Sequence, residues 1–86
     1  MIIPSKIVFG PVNRPNCGLA DFETQVITID VDKLLVMFYV HELLHLKNPT
    51  WGEWRVQSKE DKIMSKMTRA EIERLASWVR RKAVRE

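Results

Sequence analysis

Residues 31–46 form the longest stretch of the sequence in which apolar side chains recur on every face of a helix. Only His41, Glu42 and His45 interrupt the apolar second half of this stretch. Asp30 precedes it at a capping position, and Asn48-Pro49 ends it. Because a helix that is apolar all round is usually buried, the sequence predicts a central helix around which the remaining elements pack.

Strand-forming residues precede the central helix. Residues 6–9 form a short β-run that Gly10-Pro11 ends, and residues 22–29 are rich in β-branched side chains. Residues 13–18 between them carry turn chemistry. We therefore predict a small antiparallel β-hairpin or sheet.

Two further helices are predicted after the central helix. Ser58 and Thr68 are expected to cap them, with Asp61 and Glu71 as the matching capping-box residues. The complete pattern predicts an α+β fold: a small antiparallel sheet, a central helix and two more helices. With 86 residues, the chain is expected to form a single domain, residues 1–86.

The size of the chain limits its core. A chain of 86 residues holds one small core, which favours a scaffold tightened by a metal, a partner or a homo-oligomer. The three tryptophans are expected to pack in this core rather than to recognise a ligand: Trp51, Trp54 and Trp78. The single cysteine, Cys17, allows no intramolecular disulfide, so a reducing, cytoplasmic location is expected. No membrane segment is expected, since the longest apolar run is only Leu34 to Val40.

The positive charge is concentrated towards the C-terminus. Residues 1–54 carry four basic and six acidic side chains, whereas residues 55–86 carry ten basic and five acidic ones. Arg80-Arg81-Lys82 and Arg85 hold much of the excess. Basic residues at a helix end complement the helix dipole, and no aromatic residues alternate with them, so this interpretation is favoured over nucleic-acid binding.

The predicted central helix contains an H-E-x-x-H pattern, His41-Glu42-Leu43-Leu44-His45. Residues four apart lie on one face of a helix, so both imidazoles are expected to bind one Zn²⁺. Glu42 would lie beside them as the general base that takes a proton from the attacking water. Burying these polar groups in an apolar helix without a ligand would be costly, which favours a metal site over a packing role.

A catalytic zinc needs a third protein ligand, and the chain has no third histidine. The candidates are carboxylates or Cys17. Glu60 ranks first, because it shares the apolar stripe of the second predicted helix and its carboxylate would be carried towards the core. Glu53, on the predicted connector, ranks second and Asp61 third, with Glu71 among the remaining groups.

The segment from His41 to Met67 resembles the gluzincins, zinc metallopeptidases with two motif histidines and a downstream glutamate on a second helix. The chain length points to the minigluzincins, which are minimal soluble scaffolds similar to the catalytic cores of integral-membrane zinc endopeptidases. The resemblance implies that His41, His45 and Glu60 bind zinc and that Glu42 is the general base and acid.

The resemblance also implies how the protein would handle a substrate. The strand before the central helix, Val26–Ile29, would be the edge strand that pairs with an extended peptide. In minigluzincins the C-terminal segment can plug the cleft and hold a latent, zymogen-like state. The expected function is therefore that of a zinc-dependent metallopeptidase that hydrolyses peptide bonds, either active as it stands or latent while that segment plugs the cleft.

Two alternatives of other kinds remain open. SprT-like zinc proteases, which associate with DNA, share an H-E-L-x-H-L run but carry a third histidine near the position of Trp51. The other alternative is a catalytically weak zinc-binding module.

Overall fold

The computed structural model describes residues 3–13 and 16–84, which form a small sheet followed by three helices. The elements in chain order are β1 (Lys6–Phe9), β2 (Gly18–Asp21), β3 (Val26–Ile29), α1 (Val31–Lys47), α2 (Glu53–Lys66) and α3 (Arg69–Lys82). This order confirms the predicted α+β fold. The chain divides into two compact units, Met1–Val31 and Asp32–Glu86. Within the described ranges, no helix has both the length and the apolar character that crossing a lipid bilayer requires.

The first unit is a three-stranded mixed sheet in the order β1-β3-β2. β2 pairs antiparallel with β3, whereas β1 runs parallel to β3 with Lys6 opposite Val26. The predicted antiparallel pairing of the first and last strands is therefore wrong, because β2 adds a second reversal of the chain between them. The prediction that Val26–Ile29 is an edge strand is also wrong: β3 is paired on both sides, and the open edges belong to β1 and β2.

Asp21 organises the turn between β2 and β3. Its Oδ1 accepts hydrogen bonds from the backbone N–H groups of Glu23, at 3.0 Å, and Thr24, at 3.3 Å. The N–H groups of Thr24 and Glu23 hold the pKa of Asp21 below its usual value. Gln25 adopts a left-handed conformation with φ 59°. This turn occupies residues 22–25, so β3 is shorter than the predicted strand over 22–29.

Asp30 is buried where the sheet unit ends and α1 begins. Its Oδ2 accepts a hydrogen bond from the backbone N–H of Val12 at 3.0 Å. Its own backbone N–H donates to the carbonyl of Cys17 at 2.7 Å. Asp30 thereby fixes the loop segments that lead out of β1 and into β2.

The helical unit has a core built from all three of its helices. The buried members are Val36 and Val40 from α1, Met64 from α2, and Ile72 and Ala76 from α3. Phe38 and Leu46 of α1 are exposed, so the helix is not buried on every face as predicted.

The starts of α2 and α3 differ in how well they follow the prediction. Thr68 caps α3 as predicted: its Oγ1 accepts from the Glu71 N–H at 3.2 Å, and Glu71 Oε1 accepts from the Thr68 N–H at 2.9 Å. The predicted start of α2 at Ser58 is wrong. The helix begins at Glu53. Gly52 is its N-cap residue, has an extended conformation, and provides no side chain to cap the helix.

The basic end of α3 is partly neutralised within the helical unit. Arg80 Nη2 donates to Asp32 Oδ1 at 2.7 Å, and Arg69 Nη2 lies 3.6 Å from Asp32 Oδ2. Arg81 Nη1 donates to Ser77 Oγ. Asp32 therefore links the start of α1 to both ends of α3. Arg85 lies outside the described residues.

The three tryptophans occupy different environments. Trp78 meets the ring of Tyr39 edge-on, with centroids 5.8 Å apart, and Trp51 is half-buried. Trp54 is 85% exposed. The prediction that all three indoles pack in the core is wrong for Trp54 and for Trp78, which is 39% exposed.

Candidate metal centre

His41 and His45 lie one turn apart on α1 and project to the same side. Their ring centroids are 5.0 Å apart, with the planes at 65°. The side chain of His41 is 17% exposed and that of His45 is half-buried. The helical spacing therefore brings two imidazoles together, as the motif predicts.

Glu53, the first residue of α2, brings a carboxylate to both rings. Glu53 Oε2 lies 3.1 Å from His41 Nε2, and Glu53 Oε1 is hydrogen-bonded to His45 Nε2. The Glu53 side chain is 75% exposed, so solvent reaches the cluster from this side. One carboxylate thus bridges the Nε2 atoms of both motif histidines.

The three side chains have the composition and spacing of a metal site. One ligand atom from each of His41, His45 and Glu53 lies within 4.8 Å of the others. Ligand atoms held about 2.1 Å from a tetrahedral zinc are about 3.4 Å apart, whereas the structure has 3.1 Å between His41 Nε2 and Glu53 Oε2 and a shorter contact between His45 Nε2 and Glu53 Oε1. Two imidazoles and one carboxylate are also a donor set that zinc takes in catalytic sites, with a fourth position open. The three side chains could therefore hold a metal ion.

Glu60, the first-ranked third ligand, lies behind His41 rather than in this cluster. Glu60 Oε1 accepts a hydrogen bond from His41 Nδ1 at 2.7 Å, and Oε2 accepts one from Gln57 Nε2 at 3.1 Å. The Glu60 side chain is only 3% exposed. Glu60 points inward, as its place on the apolar stripe of α2 predicts. It contacts His41 through Nδ1, whereas Glu53 contacts the same ring through Nε2.

The two carboxylates control the protonation of His41. The hydrogen bond to Glu60 is the main cause that raises the pKa of His41 above 6.5; burial opposes it, and Glu53 adds to it. The pKa of Glu53 is lowered, chiefly by the hydrogen bond from His45 and then by that from His41. A metal that binds here must displace the proton from His41 Nε2, while Nδ1 keeps its hydrogen bond to Glu60.

Glu42 is exposed, next to His41 in the chain. It forms no hydrogen bond or ion pair with any side chain in ranges 3–13 and 16–84. Its carboxylate is thus available to a molecule that approaches the cluster.

The remaining third-ligand candidates have other partners or lie elsewhere. Asp61 Oδ1 accepts from Gln57 Nε2 at 3.1 Å, and Glu71 completes the cap of α3. Cys17 precedes β2 in the sheet unit and is half-buried. Neither Asp61 nor Glu71 belongs to the cluster found among the described residues.

Glu53 ranks below Glu60 in the prediction from sequence because it lies on the predicted connector, where positioning a side chain costs more entropy than on a helix. The sequence signal that points to Glu53 is the pair Gly52-Glu53, because glycine is among the residues preferred at an N-cap and acidic residues are enriched in the first turn of a helix. A helix beginning there holds Glu53 in its first turn and removes most of the entropy cost of positioning the carboxylate.

Comparison with known proteins finds no match: the chain matches no family model, no curated protein and no solved structure. The resemblance to the gluzincins stays a prediction that rests on the residues of the motif.

Proposed function

We propose that this protein is a zinc-dependent metallopeptidase that hydrolyses peptide bonds. The observation that supports the proposal is the meeting of His41 Nε2, His45 Nε2 and the Glu53 carboxylate at one solvent-accessible point, directly beside Glu42 in the H-E-x-x-H sequence. His41, His45 and Glu53 are the proposed ligands. Glu60 is proposed as the residue that orients His41, replacing the ligand role first predicted for it.

Each residue has a distinct chemical task in this proposal. When bound, zinc would polarise the scissile carbonyl and acidify water. Glu42 takes the proton from the attacking water and passes it to the leaving amine. Glu60 accepts from His41 Nδ1, which fixes the ring orientation and keeps Nε2 directed towards the ligand cluster. Glu53 is held by the first turn of α2, so the ligand geometry is set before substrate arrives.

The proposed substrate is a peptide or protein segment in extended form. We place this activity in the cytoplasm, because the single cysteine suits a reducing compartment. Latency imposed by the C-terminal segment stays a prediction, tested by comparing the full chain with one that ends at Lys82, the last residue of α3.

Metal content and hydrolysis test the proposal together. We expect one zinc per chain by atomic emission after purification and dialysis against metal-free buffer. Cleavage of a fluorogenic peptide library should depend on that zinc. Glu42→Gln should keep the zinc and abolish cleavage, since Glu42 handles protons and is not a ligand.

Asp61→Ala is the matched control, because it removes an exposed carboxylate of α2 outside the cluster. It should keep both zinc and activity. Absence of zinc from the wild-type protein would overturn the metal site. Zinc without cleavage in both the full and the shortened chain would favour the catalytically weak zinc-binding module.

A further inference from the structure

The outer face of α2 and the residues before it form a shallow, open depression of about 310 Å³. We name it the cation–indole face; its lining residues are Trp51, Trp54, Arg55, Ser58, Lys59 and Lys62. From Trp54 onwards these positions recur at helical spacing along one side of α2, opposite the side that buries Val56, Glu60 and Met64. The face therefore lies on the side of α2 away from its core-facing residues.

The two indoles on this face differ in whether a side chain of the protein already stacks on them. Arg55 already stacks on Trp51, with its guanidinium carbon 4.4 Å from the ring centroid. Trp54 is 85% exposed. A large aromatic surface left in water is costly, and it marks a place where a partner can stack.

The cations of the face are not neutralised by the protein. Among the residues in ranges 3–13 and 16–84, no carboxylate lies within 4.0 Å of the charged groups of Arg55, Lys59 or Lys62. At the basic end of α3, Arg80 is paired with Asp32, whereas no carboxylate among the described residues pairs with Arg81 or Lys82. What sets the α2 face apart is that three cations without a carboxylate partner among the described residues lie beside the exposed indole of Trp54.

We propose that the cation–indole face binds single-stranded nucleic acid, with a base stacked on Trp54 and phosphates held by Arg55, Lys59 and Lys62. Exposed aromatic rings combined with a row of cations are the two elements that bind single strands without sequence preference. An anionic membrane surface fits less well, because a helix that lies in a membrane interface needs a broad apolar face. The aliphatic residues of α2 such as Val56 and Met64 are buried instead.

This inference goes beyond the proposed peptidase function and does not depend on it. None of the residues of the face is a proposed zinc ligand, and none belongs to the cluster of His41, His45 and Glu53. A His41→Ala variant should lose zinc but bind nucleic acid as the wild-type protein does. Failure of either proposal is thus observed separately from failure of the other.

Fluorescence anisotropy with a labelled oligothymidylate of about 15 nucleotides tests the inference. Neutralisation of three phosphates predicts a slope of log K against log salt of about −2, since each phosphate of a single strand contributes about −0.7. Trp54→Ala should weaken binding about fivefold or more, the effect of losing one stacked base. Lys59→Glu with Lys62→Glu should reduce the slope to about −0.7.

The matched control is Arg81→Glu with Lys82→Glu, which changes the net charge equally on exposed positions of α3. It should leave the salt slope unchanged, and circular dichroism should show that all variants keep their helix content. The proposal is overturned if the control weakens binding as much as the α2 pair, or if duplex DNA binds as tightly as the single strand. Preferential binding to polyglutamate or to phosphatidylserine vesicles would overturn it too.

Discussion

Replacing Glu53 and Glu60 separately by alanine distinguishes a zinc ligand from a residue that supports one. Glu53 contacts the Nε2 atoms of both histidines, whereas Glu60 contacts only His41 Nδ1. Loss of a supporting carboxylate typically weakens metal affinity by about 10- to 100-fold. We expect Glu60→Ala to fall in that range and Glu53→Ala to exceed it, because the latter removes a bond to the metal itself.

The stability of the metal-free variants should follow the reverse order. The Glu60 side chain is 3% exposed, so its removal leaves the partly buried His41 Nδ1–H without its acceptor. An unsatisfied buried donor costs about 1–3 kcal/mol. In a chain of this size, 1 kcal/mol lowers Tm by about 4–8 °C. Glu53→Ala should change Tm little, because the Glu53 side chain is largely solvated.

Competition with a chromogenic chelator measures the zinc affinities, and circular dichroism melts of metal-free protein measure Tm. Glu60→Gln is the matched control: its side-chain carbonyl can still accept from His41 Nδ1, so most of the affinity and the Tm should return. If Glu60→Ala weakens zinc binding more than Glu53→Ala does, Glu60 is the ligand and the proposed division of roles is wrong.

Metal removal, pH and the α3 cap provide three more tests. Chelation should lower Tm, because metal binding stabilises the folded state; an unchanged Tm after verified zinc removal would contradict this. Zinc affinity measured by calorimetry should fall between about pH 8 and about pH 6, because the pKa of His41 is raised above 6.5 and an imidazolium cannot bind metal. Metal-free protein should show the opposite trend in its melts: the stability from protonated His41 is complete below pH 6.5 and is lost as pH rises through the raised pKa. Thr68→Ala should destabilise the protein by about 1 kcal/mol in urea titrations, while Ser58→Ala, inside α2, should not; equal effects would refute the capping argument.

Local signals predicted the helical half well. The paired side chains of Thr68 and Glu71 marked the start of α3, and the spacing of His41 and His45 placed both rings on one side of α1. Both signals act over three or four residues, so the sequence contains everything that decides them. The apolar stripe correctly predicts that Glu60 is carried inward, but it predicts a zinc ligand and not the hydrogen bond to His41 Nδ1 that the structure has.

The pairing of the strands and the start of α2 were not predictable in the same way. Whether β1 pairs parallel or antiparallel depends on how many strands intervene, and the exposed strand Gly18–Asp21 has no alternating pattern to reveal it. The start of α2 required a choice between Gly52, with no side-chain cap, and Ser58, a good capping residue. The position of this helix start decides whether Glu53 belongs to a connector or to the first turn of α2, and therefore which carboxylate ranks first as the ligand.

Because β1 is an edge strand of the sheet, the charge of Lys6 is expected to oppose aggregation through this strand. β1 is four residues long, and its three residues after Lys6 are all apolar: Ile7, Val8 and Phe9. An open strand of this composition is a template on which another chain can add, and a charged residue on the strand is how natural sheets discourage it. Lys6 is therefore a residue whose loss would leave the fold and the histidine cluster intact while lowering the concentration at which the protein stays in solution.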